Sequence, residues 1–192
     1  MRKFITLIIA FLAIIPVLCV AQSGKYEEEL LTSQQLASER YILNNSVQEN
    51  VPANARNVAL VAQDGNSNTF DGKQVNAGSS RNPNVVVIMQ SGNLNNASLE
   101  QTGENNKAKV SQLGEGNDYE GRMNGRNNET AINQFGNNNS INQNLEGEGM
   151  NYRLTQQGNN NQINQYENGT QNKGYEVIQQ GSGMNITITN GF

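Results

Sequence analysis

Residues 90–112 read QSGNLNNASLEQTGENNKAKVSQ, and the residue types in this stretch recur every eleven positions. Gln90, Gln101 and Gln112 mark the spacing. Gly lies two positions, Asn five positions and Ala seven positions after each of the first two of these Gln residues. A fixed period of this kind is typical of proteins built from stacked structural repeats, in which each unit contacts only its neighbours.

The eleven-residue spacing extends well beyond this stretch. When the chain is written in nine rows from Gln90, the last of them ending at residue 189, Gly lies two positions after the start of every row. Asn lies five positions after the start in seven rows, and the exceptions are Met150 and Met184. An earlier copy begins at Gln63. Residues 75–84, VNAGSSRNPN, interrupt the spacing, and their Gly, Ser and Pro content predicts a loop insertion.

Apolar residues alternate with polar ones on both sides of the recurring Gly. Val86 and Ile88 precede Gln90 at alternate positions, and this pattern with β-branched side chains predicts strands that bury one face. Gly supplies the positive φ that a tight turn requires. The predicted turn glycines are Gly65, Gly92, Gly103, Gly114, Gly125, Gly136, Gly147, Gly158, Gly169 and Gly181. We therefore predict an all-β fold, a two-sided β-solenoid of about six 22-residue strand-turn-strand rungs, with rungs about 4.8 Å apart.

Stacking in register would turn each sequence position into a column along the solenoid axis. A buried amide needs hydrogen-bond partners, and stacked Gln and Asn side chains can donate to one neighbour and accept from the other. The predicted ladder comprises Gln63, Gln90, Gln112, Gln134, Gln156, Gln179, Asn68, Asn95, Asn106, Asn117, Asn128, Asn139, Asn161 and Asn172. A second set of rows is looser and begins with Gln74, Gln101, Met123, Leu145, Glu167 and Asn190. The alternative is a loose repeat in which these polar residues are solvated.

The first 56 residues lack the repeat. Residues 1–21 combine Arg2 and Lys3 with an apolar run and a cleavage-like ending, which predicts a secretory signal peptide; the alternative is a membrane anchor. Residues 22–56 are predicted to be an N-terminal leader, helical or disordered, and residues 57–192 to form the solenoid.

The composition excludes several classes of function. Asn and Gln account for 34 and 18 of the 192 residues, the chain has no His, and its single Cys lies in the predicted signal peptide. A mature chain without thiol or imidazole has no Cys/His metal site and lacks the commonest catalytic bases. The formal net charge is −4 before the two basic residues of the signal peptide are removed. An acidic chain is not expected to bind nucleic acid.

The pattern Q-x-G-x-x-N-x-A-x-x-x-Q, present at Gln90, Gly92, Asn95, Ala97 and Gln101, resembles the curlin repeat. Curlins are the subunits of curli, the extracellular functional amyloid fibres of Gram-negative bacteria. The resemblance implies a subunit that stacks end to end into fibres with itself and a related curlin subunit. It also implies export through an outer-membrane pore, localisation in fibres at the cell surface, and a role in biofilm matrix and cell adhesion.

The last rung is predicted to offer an open edge to another molecule. Residues 186–190 read ITITN and continue the strand pattern without Pro or charge, so Ile186, Ile188 and Asn190 are the predicted assembly edge. No recurring pair of carboxylates suggests an enzyme, and no cofactor is expected. Two alternatives to a fibre subunit remain: a surface-bound nucleator of such fibres and a monomeric ligand-binding β-solenoid.

Overall fold

The computed structural model describes residues 55–76, 82–169 and 174–191, all within one compact unit of residues 43–192. The predicted signal peptide, the leader up to residue 54 and Asn172 lie outside the described residues. No helix with the length and apolarity of a membrane span occurs in the part of the chain that the structure describes.

The described residues form twelve strands that alternate between two sheets. The strands are β1 (Asn57–Asn66), β2 (Thr69–Val75), β3 (Asn84–Asn93), β4 (Asn96–Glu104), β5 (Lys107–Glu115), β6 (Asp118–Arg126), β7 (Glu129–Phe135), β8 (Ser140–Glu148), β9 (Asn151–Gln157), β10 (Gln162–Asn168), β11 (Gly174–Gln180) and β12 (Asn185–Asn190). Sheet A contains the odd-numbered strands in sequence order, and sheet B contains the even-numbered strands. All neighbouring strands are parallel. The prediction of an all-β, two-sided β-solenoid is confirmed.

The register between rungs follows the sequence repeat. Gln90 pairs with Gln112 and Gln112 with Gln134, steps of 22 residues. The first step, from Gln63 to Gln90, is 27 residues long. The additional residues fall between the end of β2 and the start of β3, where the loop insertion was predicted, and residues 77–81 of this connection are outside the described ranges.

A thin core lies between the two sheets. Alternate residues of the central strands are buried, because they point toward the opposite sheet. Sheet A contributes Val86, Ile88, Ala108, Val110, Ile132, Tyr152 and Leu154, and sheet B contributes Ala97, Leu99, Tyr119, Met123, Ile141, Leu145 and Ile163. On sheet A, some residues of the outward-facing parity are buried as well: Val87, Met89, Ser111, Asn133 and Thr155.

Eight of the ten turn glycines, all except Gly169 and Gly181, are required by close packing between rungs as well as by their backbone angles. All ten have positive φ. At Gly114, φ is +123°, and an added Cβ would lie 2.1 Å from the carbonyl oxygen of Gly136 in the next rung. A side chain at this position would therefore push successive rungs apart.

Candidate functional site

The Gln residues of sheet A form one continuous column of side-chain hydrogen bonds. In every step the Nε2 group donates to Oε1 of the Gln in the next rung toward the C-terminus, over 2.6 to 3.1 Å. The column runs through Gln63, Gln90, Gln112, Gln134, Gln156 and Gln179. All except Gln63 are buried. Because each amide is both donor and acceptor, burial leaves its polar atoms satisfied.

The same Nε2 groups also join the two sheets. Gln90 donates to the carbonyl oxygen of Thr69 at 2.9 Å, and Gln112 donates to that of Asn96 at 2.7 Å. The later members of the column donate in the same way to Asp118, Ser140 and Gln162. A carbonyl oxygen can only accept, so these bonds determine which end of each amide is nitrogen. The direction of the column is therefore set by the backbone.

The Asn residues of the first turn, between the two strands of a rung, bind the backbone of the next rung. Asn139 donates through Nδ2 to the carbonyl oxygen of Gly158 at 2.8 Å and accepts from the Asn161 N–H through Oδ1 at 3.2 Å. We call this pair of bonds the asparagine clasp. The same clasp is made by Asn68, Asn95, Asn117 and Asn161. Direct bonds between stacked Asn side chains also occur, as from Asn139 to Asn117 at 3.0 Å.

The second turn, between successive rungs, has its own column. Asn84, Asn106 and Asn128 each make the clasp with the rung that follows. Met150 is the last member of this series among the described residues: it is 1% exposed, and its N–H donates to Asn128, but it has no amide for the next rung. Asn84 was missed by the sequence reasoning because it lies at the end of the predicted loop. Asn84 lies six residues before Gln90, just as Asn106 lies six residues before Gln112, and this equal spacing was the signal that indicates it.

The corresponding column of sheet B contains few amides. Gln74 donates to Gln101 at 2.9 Å, and the following positions are the buried residues Met123 and Leu145. Glu167 is 2% exposed and accepts from Asn190 Nδ2 at 2.9 Å and from the hydroxyl of Tyr175. A buried carboxylate without these donors would be strongly unfavourable.

A second buried polar network was not found from the sequence. Gln143 donates to Gln165 at 2.7 Å and accepts from the hydroxyl of Tyr119 at 3.1 Å, and Gln165 in turn donates to Tyr175 at 2.8 Å. Burial raises the pKa of Tyr119 well above its ordinary value. The 22-residue spacing of Gln143 and Gln165, on the same parity as Ile141, was the available signal.

Charged residues stack on the outer face of sheet B. Lys73 and Arg122 lie on either side of Glu100, with N to O distances of 2.7 and 3.6 Å. The hydrogen bond and charge of Lys73, followed by the charge of Arg122, hold the pKa of the Glu100 carboxyl below its usual range. All three side chains are accessible to solvent, so this row contributes little to stability.

Both ends of the stack are sheet edges. Among the described strands, β1 and β2 have neighbours only on the side of the second rung, and β11 and β12 only on the side of the fifth. The predicted edge residues Ile186, Ile188 and Asn190 lie on β12, where each is half-buried and pairs with a residue of β10. Val61 of β1, although it has the inward parity, is 46% exposed.

Residues 84–114 match the family model of the curlin associated repeat. This stretch of the chain is similar to the curlin repeat. The match spans β3, β4 and nearly all of β5, and it includes the Gln column at Gln90 and Gln112. It supports membership of the curlin-repeat family and confirms the resemblance on which the sequence interpretation rested. No curated protein and no solved structure matches the chain.

The geometry of these columns is that of a structural element. Their side chains bind one another and the backbone of the neighbouring rungs. In residues 55–76, 82–169 and 174–191, no group of three Asp, Glu, His or Cys side chains converges as the ligands of a metal ion would.

Proposed function

We propose that the protein is a structural subunit of an extracellular curli-type fibre in which copies stack edge to edge. The curlin repeat and the β-solenoid fold are structural rather than enzymatic, and the curlin repeat family is associated with extracellular curli fibres. Secretion directed by residues 1–21, export through an outer-membrane pore, and a role in biofilm matrix and cell adhesion belong to the same proposal. A related curlin subunit is the second partner that the family suggests.

The observation that carries this proposal is that the two edges of the described solenoid are complementary. Sheet A ends in β1 at one edge and β11 at the other, and sheet B ends in β2 and β12. A second copy placed on β11 and β12 would continue both sheets with parallel strands, at the same spacing of about 4.8 Å as between rungs. Long open edges of this kind are templates for pairing with another chain.

The backbone directions identify which edge groups are free to pair. Gln162 donates its N–H forward to the carbonyl oxygen of Met184, and successive residues of a strand point their N–H groups to opposite sides. Asn164 lies two residues after Gln162, so its N–H also points forward. Thr187 pairs with Asn164, and its N–H therefore points forward as well, to the open edge. Ile188 has the opposite parity, so its N–H points toward β10.

Proline substitution at the open edge gives a selective test. Thr187→Pro removes an N–H directed outward, which an edge strand tolerates, and should leave the fold of the subunit intact. We expect the purified protein to polymerise after a lag phase, to bind thioflavin T and to give cross-β diffraction. Thr187→Pro should abolish elongation, whereas the control Thr187→Val, which keeps the N–H, should elongate. Wild-type elongation by the Pro variant would refute edge-to-edge stacking.

The same experiment separates the two alternative functions. A surface-bound nucleator would start polymerisation of a related curlin subunit at low molar ratio without forming long fibres alone. A ligand-binding β-solenoid would stay monomeric at high concentration, with or without seeds. Ile188→Pro is a less informative substitution, because the N–H that it removes points toward the neighbouring strand of the same copy and its loss would destabilise the subunit itself.

A further inference from the structure

Every first turn inside the chain is tied to the next rung by an asparagine clasp. The five steps through Asn68, Asn95, Asn117, Asn139 and Asn161 have Nδ2 to Gly carbonyl distances of 2.7 to 2.9 Å. The corresponding backbone N–H to Oδ1 distances are 3.0 to 3.2 Å. In each step the side chain belongs to the earlier rung and the backbone groups to the later one.

The sixth member of this column is Met184. Its backbone N–H completes the clasp of Asn161 at 3.1 Å, so the last internal step is intact. Its side chain, however, has neither an amide donor nor a carbonyl acceptor to offer to a rung placed on β11 and β12. The clasp is therefore missing at the one position where it would connect this copy to another.

The Gln column, in contrast, can continue across the same edge. Gln179 accepts from Gln156 at 2.8 Å and donates to the carbonyl oxygen of Gln162 at 3.3 Å, which leaves one of its two amide hydrogens for a following rung. At the other edge, Gln63 donates to Gln90 and accepts from no described residue. A donor at one edge thus matches an acceptor at the other, and the backbone bonds described above prevent the amides from reversing.

We infer that copies join through one directional joint, in which β11 and β12 of one copy pair with β1 and β2 of the next, and that Met184 makes this joint weaker than any internal first-turn step. The inference rests on the proposed function. Across the joint, Gln179 donates to Gln63, and the sheets pair in parallel. The carbonyl of Gly65 and the N–H of Asn68 in the incoming copy do not receive the clasp that their counterparts receive within the chain. A joint between identical edges would instead place donor against donor or acceptor against acceptor.

Restoring the clasp tests the role of Met184. Met184→Asn should lower the critical concentration for polymerisation roughly tenfold, which corresponds to about 1.4 kcal/mol, and should leave the unfolding midpoint of the monomer unchanged. The matched control is Asn161→Met, one rung earlier in the same column. It should lower the unfolding midpoint of the monomer, because its clasp is internal. Met184→Leu, which also lacks an amide, should keep the wild-type critical concentration and exclude an effect of simply replacing Met.

The outcomes distinguish this inference from the proposed function. If the wild-type protein forms no polymer, both are overturned. If it polymerises and Met184→Asn does not change the critical concentration, only the role of Met184 is overturned. If Met184→Asn fails to fold, as judged by circular dichroism, the clasp geometry at this turn is wrong and the inference fails with it.

Direction is tested separately by mixing two edge-blocked variants. Val61→Pro blocks the first edge by removing an N–H that points to it. Asn84 donates its N–H backward to the carbonyl oxygen of Arg56, and Ile88 has the same parity as Asn84. Val61 pairs with Ile88, so its N–H also points backward, to the open edge. Thr187→Pro blocks the other edge. A directional joint predicts that each variant alone stays monomeric, whereas their mixture forms a 1:1 dimer that light scattering detects. Dimers of either variant alone would show that identical edges pair and would refute a directional joint.

Discussion

Replacing Gln134 with Glu tests the hydrogen-bond column without changing the shape of the core. Gln134 is 0% exposed, and its Nε2 group lies 2.9 Å from the carbonyl oxygen of Asp118, 3.0 Å from that of Asn139 and 3.1 Å from Oε1 of Gln156. A carboxylate would face three acceptor oxygens where the amide donates. Only the donor of Gln112, at 2.9 Å, would remain favourable.

The size of the effect follows from the protonation state of the new carboxyl group. Burial among acceptors raises its pKa, so the folded protein keeps it neutral. The reference pKa of Glu, about 4.3, lies about 2.7 units below pH 7, and each unit is worth 1.36 kcal/mol; keeping the carboxyl neutral at pH 7 therefore costs about 3.7 kcal/mol. The protonated group can donate only one hydrogen bond instead of two, which adds about 1 kcal/mol. We expect a loss of about 5 kcal/mol at pH 7.

The pH dependence has a definite sign. The pKa in the folded state is above that in the unfolded state, so the variant keeps its stability below about pH 4 and loses it as the pH rises through and above that value. The measurement is urea unfolding followed by far-ultraviolet circular dichroism between pH 4 and pH 8, relative to wild type at each pH. Gln157→Glu, at the exposed neighbouring position, is the control and should change little. A loss below 1 kcal/mol at pH 7, or one independent of pH, would refute the buried column.

Three further predictions concern the turns and the core. Leu94 is 57% exposed at φ +58°, where the equivalent positions hold Asn138 or Gly116, so Leu94→Asn should raise the free energy of unfolding by about 1 kcal/mol, and Leu94→Ala should not. Gly114→Ala should prevent folding, because the added Cβ meets the carbonyl oxygen of Gly136 in the next rung. At Gly181 only the Met184 side chain lies within 4 Å of the added Cβ, so Gly181→Ala should fold but should not elongate, since the next rung there would belong to another copy. Because burial raises the pKa of Tyr119, the contribution of this residue to stability should be constant below about pH 10 and fall above it, and Tyr119→Phe should reduce the fall in alkaline unfolding experiments.

The sequence spacing and the alternation of apolar residues were sufficient to predict the solenoid because parallel strands in register place residues of the same phase above one another. Gln90, Gln112 and Gln134 are separated by one full rung, and the shared parity with Ile88 and Val110 indicated that they face the core. An eleven-residue period alone would also fit a helical supercoil, so the period-two alternation of apolar residues and the recurring turn Gly were needed to identify strands. The fold could therefore be derived from spacing and alternation, and the recurring Gly indicated where the turns lie.

The hydrogen-bond partners of Asn were less accessible to the same reasoning. Stacking predicts contacts between like side chains, but Asn139 makes its shortest bond with the carbonyl oxygen of Gly158, and Asn117 with that of Gly136. These bonds depend on the left-handed turn, which rotates the glycine carbonyl toward the preceding rung. Sequence spacing states which residues share a column, but it does not state how far the backbone of one rung projects toward the next.

Irregular positions were the hardest to interpret from sequence. Glu167 replaces a Gln of the looser set. In the structure it is buried because Tyr175 and Asn190, eight and 23 residues away along the chain, both donate to it. Asn190 lies one rung away in the same column as Glu167, so the period does indicate this donor. Tyr175 belongs to the column of Tyr152 in the other sheet, and the period alone does not indicate that its hydroxyl reaches Glu167.

The direction of the clasp explains why position 184 differs from the rest of its column. The side chain of an Asn at this position makes the clasp with the rung that follows. To the clasp of the preceding rung the same residue contributes only its backbone N–H, which every residue except Pro possesses. At Asn139 or Asn161 the following rung belongs to the same chain, so loss of the amide would cost the stability of the monomer. At Met184 no described rung follows, and an amide there would be either solvated in the free subunit or bound to another copy. The side chain at 184 can therefore change the strength of the joint through the clasp without changing the fold of the subunit, and Met184 sets that strength low.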